Sequence, residues 1–227
     1  MNTRAATAVV IFGDVIDSRR EPVASSAWLR ELTHALESAY APAERVAPFG
    51  FTQGDELQAL LDPDADPFRA VLIGSLHEAA MPMRWAIAAG RIVAGRGPAT
   101  ERSGEAFLRA RASLDEAKAR RDLILASTGE PGADRLLDDL VPVLGEMLRS
   151  LTPRQRRVAS LMLVDGLRQA EVAERLRVAR ATISVAHARG AIRSIDRLVT
   201  AIGTIFRAGV LAQADEAVAA ARPGSGS

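Results

Sequence analysis

Two segments of this sequence carry carboxylates of the kind that bind metal ions. Asp14 and Asp17 follow the apolar run AVVIF, and Asp55 lies in the stretch FTQGDELQALL, between two apolar runs. The chain has no cysteine and three histidines, so a metal site would use oxygen ligands, which favours magnesium, manganese or calcium. The alternative is that these carboxylates only cap turns, as acidic residues commonly do.

A second group of residues has the type and spacing of a DNA-binding surface. Residues 151–200 contain ten arginines and four acidic residues, although the formal net charge of the whole chain is only +1. Such an excess of positive charge predicts a polyanionic partner. The alternatives are a solvated, arginine-rich helical bundle and a helical fold that binds protein instead of DNA.

The pattern in this basic segment predicts a helix-turn-helix. Thr152 and Pro153 begin a helix that ends at Asp165–Gly166, and a short second helix follows. Arg177 and Val178 then form a tight turn, with Arg177 in a left-handed conformation, before a third helix that carries Arg189 and Arg193. A separate helix follows at 201–221. In such a module the last helix enters the major groove. We expect residues of the turn and of the last helix to contact DNA, some at base edges and some at phosphates. The full set is Arg177, Arg180, Thr182, Ser184, His187, Arg189 and Arg193.

The elements that would position the acidic residues are strands. The order strand, helix, strand, strand, helix, strand, with a further helix and strand, predicts an α+β fold with a ferredoxin-like arrangement over residues 1–130. In that topology β-strand 8–12 lies beside the hairpin around Asp55, so Asp14 and Asp55 would converge. Residues 90–103, rich in Gly, Arg and Thr, are predicted to form a loop. A linking helix at 131–150, an all-α helix-turn-helix domain at 151–221 and a disordered tail at 222–227 complete the predicted organisation.

Composition agrees with a globular protein that has a substantial core. Hydrophobic residues make up 48% and charged residues 25% of the 227 residues. No apolar run reaches the roughly 18 residues of a membrane span, and the N-terminal segment lacks the features of a signal peptide. We expect a cytoplasmic protein.

The acidic motifs, together with GEAFLRARASLDEAK, resemble the SatD family, whose core is similar to those of nucleotide cyclases and GGDEF diguanylate cyclases. The resemblance implies that Asp14 and Asp55 bind Mg or Mn. It also implies a nucleotide site formed by Asp14, Asp17, Gly54, Asp55 and Glu56. The helix that supplies an asparagine and an arginine to cyclase catalysis has Leu108 and Ala112 at those positions, with Arg109 and Arg111 nearby. A degenerate, non-catalytic domain is therefore favoured over an active enzyme.

The segments LTPRQRRV, AEVAERL and ARATIS resemble LuxR-type and sigma region 4 DNA-binding domains. Together the two resemblances imply a homodimeric transcriptional regulator that binds double-stranded DNA and senses a nucleotide. The alternatives are an active nucleotide cyclase or nucleotidyl transferase with a DNA-binding module, and a DNA-binding protein whose first domain only dimerises.

Overall fold

The computed structural model describes residues 6–52 and 56–220, with side chains described as far as residue 214. The described chain forms five strands and eight α-helices. In chain order they are β1 Ala6–Val15, α1 Pro22–Ala39, β2 Arg45–Phe51, β3 Glu56–Leu61, α2 Phe68–Leu76, β4 Met83–Ile92, α3 Glu105–Arg120, β5 Ile124–Ser127, α4 Pro131–Ser150, α5 Pro153–Leu163, α6 Gln169–Leu176, α7 Arg180–Arg189 and α8 Ile192–Ala220.

The strands form one mixed sheet in the order β2-β3-β1-β4-β5. β1 pairs antiparallel with β3 and β4, and β4 pairs parallel with β5 through the crossover helix α3. The predicted α+β class is confirmed, and β1 lies beside β3 as expected. The β-branched residues of β1 suit this central position, where both strand edges are paired.

Each face of the sheet is covered by different helices. Residues alternate along β1, so that Val9 and Ile11 belong to the core cluster that includes α1 and α2, whereas Val10 and Phe12 belong to the cluster under α3. Both faces are apolar in the middle of the strand. Asp14 continues the even-numbered series, and this places its carboxylate on the α3 face.

The helix-turn-helix shares its apolar core with the sheet. The larger cluster runs without a break from α1 and the sheet through α4 to α5, α6, α7 and α8. Phe68 of α2 and Phe206 of α8 meet edge to face with their ring centroids 5.8 Å apart. Gly209 lets α8 approach α4, because a Cβ there would lie 2.7 Å from the Cβ of Ala133. The predicted domain ranges stay a prediction.

Several element boundaries differ from the predicted ones. A single helix, α8, runs from Ile192 to Ala220, where the sequence analysis placed the end of the recognition helix and then a separate helix at 201–221. α7 ends at Arg189 because Ala191 has a φ of 48°, which breaks the helical path. Arg193 therefore lies in the first turn of α8. Its predicted position on the recognition helix is wrong.

The segment predicted as a loop at 90–103 is partly ordered by strand pairing. β4 extends to Ile92, which also bridges to Gly104. Gly104 has a φ of 141°, and a Cβ there would lie 2.6 Å from the carbonyl oxygen of Arg91, so glycine is required. None of the described helices combines the length and the apolar character needed to cross a bilayer.

The surroundings of Trp85 in β4 show how closely α2 packs on the sheet. A Cβ at Gly74 would lie 2.4 Å from Cζ2 of this indole, and one at Gly13 would lie 3.1 Å from Cζ3. We expect Gly74→Ala to lower the free energy of unfolding by about 1–3 kcal/mol through overpacking. The matched control is Gly203→Ala in α8, where a Cβ meets nothing within 4 Å. It should raise stability by about 0.5–1 kcal/mol. Urea unfolding of both variants checks this, and equal shifts would contradict the packing.

Candidate nucleic-acid interface

The structure brings Asp14 and Glu56 together but not the whole predicted acidic site. These two residues are directly paired across β1 and β3. Gly54 and Asp55 lie outside the described residues, so the convergence of Asp14 with Asp55 stays a prediction. Asp17 has a left-handed backbone, and its side chain is largely exposed and lies 3.6 Å from Arg20.

Cations of α3 pair with both carboxylates. Arg111 donates two hydrogen bonds to Glu56, at 2.5 and 2.7 Å, and Gln58 donates a third at 2.8 Å. The Arg111 guanidinium also stacks over the Phe12 ring, 4.6 Å from its centroid. The ammonium of Lys118 lies 3.2 Å from the carboxylate of Asp14.

These contacts fix the charge state of Glu56. Burial alone raises the pKa of this carboxyl, but the hydrogen bonds from Arg111 and Gln58 outweigh burial and hold its pKa below the usual range. The same pair raises the pKa of Arg111. Glu56 is therefore ionised at neutral pH and serves as the anchor for α3 on the sheet.

The predicted Mg or Mn site at Asp14 and Asp55 stays a prediction. Within the described residues no group of three or more His, Asp or Glu side chains has the geometry to hold a metal ion. The sequence analysis missed the roles of Arg111 and Lys118. Their spacing of seven residues puts them on one face of a helix. This spacing is the sequence signal that indicates contacts with two adjacent strands.

Two capped helices build the front of the helix-turn-helix. The hydroxyl of Thr152 accepts from the backbone N–H of Gln155, whose side chain accepts in return from the N–H of Thr152 at 2.8 Å. At the start of α6 the Glu171 carboxylate accepts from the N–H of Arg168 at 2.7 Å. The cap at Thr152 is reciprocal and the one at Arg168 runs in one direction, and both satisfy amides that have no partner inside the helix. The predicted start of α5 at Thr152 and Pro153 is confirmed.

Small and branched apolar residues hold α5, α6 and α7 together. Ile183 of α7 is fully buried and packs in the same cluster as Val158 of α5 and Val172 of α6. Ala173 and Ala186 are also buried, and their short side chains allow α6 and α7 to cross closely. This geometry fixes which side of α7 faces inward.

The turn between α6 and α7 is a Schellman motif. Arg177 is left-handed, at φ 54° and ψ 47°, its N–H donates to Glu174 O at 3.1 Å, and the N–H of Val178 donates to Ala173 O at 3.0 Å. A non-glycine residue in this conformation costs about 1 kcal/mol. The expected left-handed turn at Arg177 is confirmed, and the side chain is exposed there.

The outward side of α7 combines polar and cationic residues. Arg180, Ser184 and Arg189 are exposed, whereas Thr182 and His187 are half-buried. Among the described acidic side chains, none lies within ion-pairing distance of Arg177, Arg180, Arg189 or Arg193. These four guanidinium groups are therefore available to an external anion. Whether the predicted residues contact DNA stays a prediction.

Comparison with family models supports a role in transcription. A family model described as ECF sigma factor matches residues 88–193, slightly less than half of the chain. The matched range includes the second half of β4, then α3, β5 and α4, as well as the helix-turn-helix. The match supports a function as a DNA-binding transcription regulator. No curated protein matches the chain.

This match corrects the family prediction. The resemblance of the acidic motifs to SatD proteins and nucleotide cyclases is wrong, because the family model that the chain matches is ECF sigma factor, over a range that includes residues once assigned to the cyclase-like core. Carboxylates at strand ends and turns occur in many sheets, and Glu56 has a structural partner in Arg111. The nucleotide-binding role assigned to Asp14, Asp17, Gly54, Asp55 and Glu56 rested on that resemblance alone.

The Glu56–Arg111 pair predicts a pH-dependent stability. Because the folded-state pKa of Glu56 is depressed, the pair contributes stability above the ordinary carboxyl pKa, and this contribution is lost as pH falls through the folded-state pKa. We expect Glu56→Gln to lower the free energy of unfolding at pH 7 by about 1–2 kcal/mol, a figure reduced by the partial exposure of Arg111. The difference from wild type should shrink in acid, as measured by urea unfolding across pH.

The matched control is Glu171→Gln, which alters an exposed ion pair with Arg168 and keeps the cap on α6. Its effect at pH 7 should be smaller than that of Glu56→Gln, because both partners are exposed and solvent screens the pair, although the hydrogen bonds from Arg168 lower the pKa of Glu171 as well. A Glu56→Gln effect of the same size at pH 7 and in acid would contradict the ion pair.

Proposed function

We propose that this protein is a transcription regulator that binds double-stranded DNA through α7. The observation that carries the proposal is the exposed, unpaired set of arginines on a helix-turn-helix whose recognition helix is fixed by the buried Ile183. The ECF sigma factor match, which includes α5, α6 and α7, supports the same function.

The shape of α7 fits a major groove. Its ten residues give a length of about 15 Å, and its exposed residues recur at positions 180, 181, 184, 185, 188 and 189, along one side of the helix. Arg180 stands at the N-terminal end of that side, where base edges are read in such modules. A guanidinium at this place suits guanine, which accepts two hydrogen bonds. Ser184 and the half-buried Thr182 and His187 complete the proposed base-contacting set.

Three other arginines suit the phosphate backbone. Arg177 lies in the turn before α7, Arg189 at the C-terminal end of α7, and Arg193 in the first turn of α8. They flank the proposed base-contacting residues on both sides in sequence. Contacts of this kind give affinity without sequence information.

A dimer would increase the affinity of a single module by placing two copies on neighbouring half-sites. Ile202, Phe206 and Val210 of α8 are buried within the chain, so these three residues do not supply a dimer surface. The homodimer therefore rests on the size of one DNA-binding module alone. The four strands β2-β3-β1-β4, joined in the order βαββαβ, are consistent with a ferredoxin-like unit that supports the helix-turn-helix.

A second candidate function is promoter recognition as a sigma factor. The description of the matched family favours it, and RNA polymerase would then be the partner. The match covers less than half of the chain and includes part of the sheet. The sigma-factor role is therefore the more specific of the two proposals, and DNA binding is the broader one.

The DNA-binding proposal predicts different effects for two arginines of α7. With a duplex selected from a random library, Arg180→Ala should cost about 1–3 kcal/mol on that site and relax its base preference. Arg189→Ala should weaken binding to all duplexes alike and lower the slope of log affinity against log salt by about 1. Fluorescence anisotropy over a salt series measures both. Arg30→Ala, an exposed arginine on α1, is the control, and wild-type binding by all three variants would contradict the proposal.

The sigma-factor proposal predicts promoter-dependent transcription. Core RNA polymerase supplied with this protein should give run-off transcripts from a template that carries the selected duplex, and Arg180→Ala should reduce them. Arg30→Ala should not. DNA binding without transcripts would contradict the sigma-factor role and leave the DNA-binding proposal in place.

A further inference from the structure

A cavity of about 490 Å³ lies where the sheet meets α3, α4 and α5. Its floor is apolar and comes from the beginnings of β4 and β5 and the end of α4. The buried residues of this floor are Met83, Trp85, Ile124 and Leu148. A cavity of this volume with an apolar floor is typical of small-molecule sites.

The rest of the cavity wall is strongly basic. Among the described residues that line it, five are cationic and none is acidic. The cations come from four different elements or their ends: Arg84 of β4, Lys118 and Arg121 at the end of α3, Arg149 of α4 and Arg156 of α5.

Part of this charge has an internal explanation. Lys118 pairs with Asp14 at 3.2 Å. Arg121 and Arg149 stand at the C-terminal ends of α3 and α4, where the helix dipole favours positive charge. Arg84 stands directly opposite Asp14 across β1 and β4, so its charge is explained in part. Arg156 lies near the N-terminal end of α5, where the helix dipole disfavours positive charge, so its charge needs another reason.

Arg84 and Arg156 also have buried donors without acceptors. Among the described residues, four arginine Nε atoms are buried without a hydrogen-bond partner, and two of the four belong to these cavity-lining residues. A buried N–H without an acceptor is unfavourable. An anionic oxygen from outside the chain that accepts a hydrogen bond from either Nε would therefore gain more binding free energy than it does elsewhere on the surface.

We propose that this cavity binds a small organic anion, a molecule with an apolar body on the Trp85 floor and a carboxylate, sulfonate or phosphate group at Arg84 and Arg156. The apolar floor favours such a molecule over nucleic acid, because a phosphodiester backbone would leave the apolar part of the cavity without a partner. The proposal goes beyond the DNA-binding function and does not depend on it.

The two arginines come from different parts of the fold. Arg84 belongs to the sheet, and Arg156 belongs to α5, the first helix of the helix-turn-helix. An anion held between them joins the two parts of the fold directly. Ligand binding at this point would stabilise the arrangement of α5 against the sheet.

The experiment uses anilinonaphthalene sulfonate, an organic anion with an apolar body, as the probe with the full-length protein. Its fluorescence should rise on titration with saturation at one site per chain. Arg84→Met and Arg156→Met should each weaken binding about tenfold. The matched control is Arg154→Met, which removes a neighbouring exposed arginine of α5 that does not line the cavity, and it should bind as wild type. The uncharged dye phenylnaphthylamine should be insensitive to all three substitutions.

Thermal unfolding of the free variants separates binding from folding. Among the described residues neither Nε atom has a hydrogen-bond partner, so Arg156→Met should melt at or above the wild-type temperature. Arg84→Met also removes the charge opposite Asp14, and it should melt close to the wild-type temperature. Equal dye binding by every variant, or no saturable binding, would overturn the proposal. Direct competition between the dye and DNA would also overturn the proposal. In that case the apparent Kd for duplex DNA would rise without limit as dye is added, and the cavity would be part of the DNA-binding surface.

Discussion

The apolar side of α8 packs against α4, and this contact fixes where the helix-turn-helix stands relative to the sheet. Ile202, Phe206 and Val210 of α8 are buried in the shared core, where Phe206 also meets Phe68 of α2, and Gly209 allows α8 and α4 to approach. Each large apolar side chain contributes about 1.5–3 kcal/mol when it is fully buried. The helix-turn-helix is therefore not an independent module on a linker, because its last helix is part of the core that also covers the sheet.

Arginine has three distinct roles in this fold, and the surroundings decide which one applies. Arg111 anchors α3 to the sheet through Glu56. Arg177 and Arg180 extend from the helix-turn-helix without an acidic partner among the described residues, as a phosphate or base contact requires. Arg84 and Arg156 line a cavity and keep buried Nε donors. Total charge does not distinguish these roles, whereas burial and the distance to the nearest carboxylate do.

The acidic motif shows why a short pattern can mislead. GDEL between two apolar runs suited a metal and nucleotide site, and the resemblance to cyclases followed from it. In the structure Glu56 faces α3 and accepts hydrogen bonds from Arg111 and Gln58. Residues 111 and 56 are far apart in sequence, so only the packing of α3 on β3 reveals that the carboxylate has an internal partner.

The sequence alone determined the features that depend on local physical chemistry. The cap at Thr152, the left-handed turn at Arg177, the apolar run of β1 and the excess of arginine after residue 150 are all set by neighbours within a few residues. The tertiary structure decided the features that depend on distant contacts. The pairing of Glu56 with Arg111, the continuity of α8 and the convergence of Arg84 with Arg156 arise from helices packing on a sheet, because side-chain partners and a helix end of this kind depend on surfaces that the local pattern does not specify.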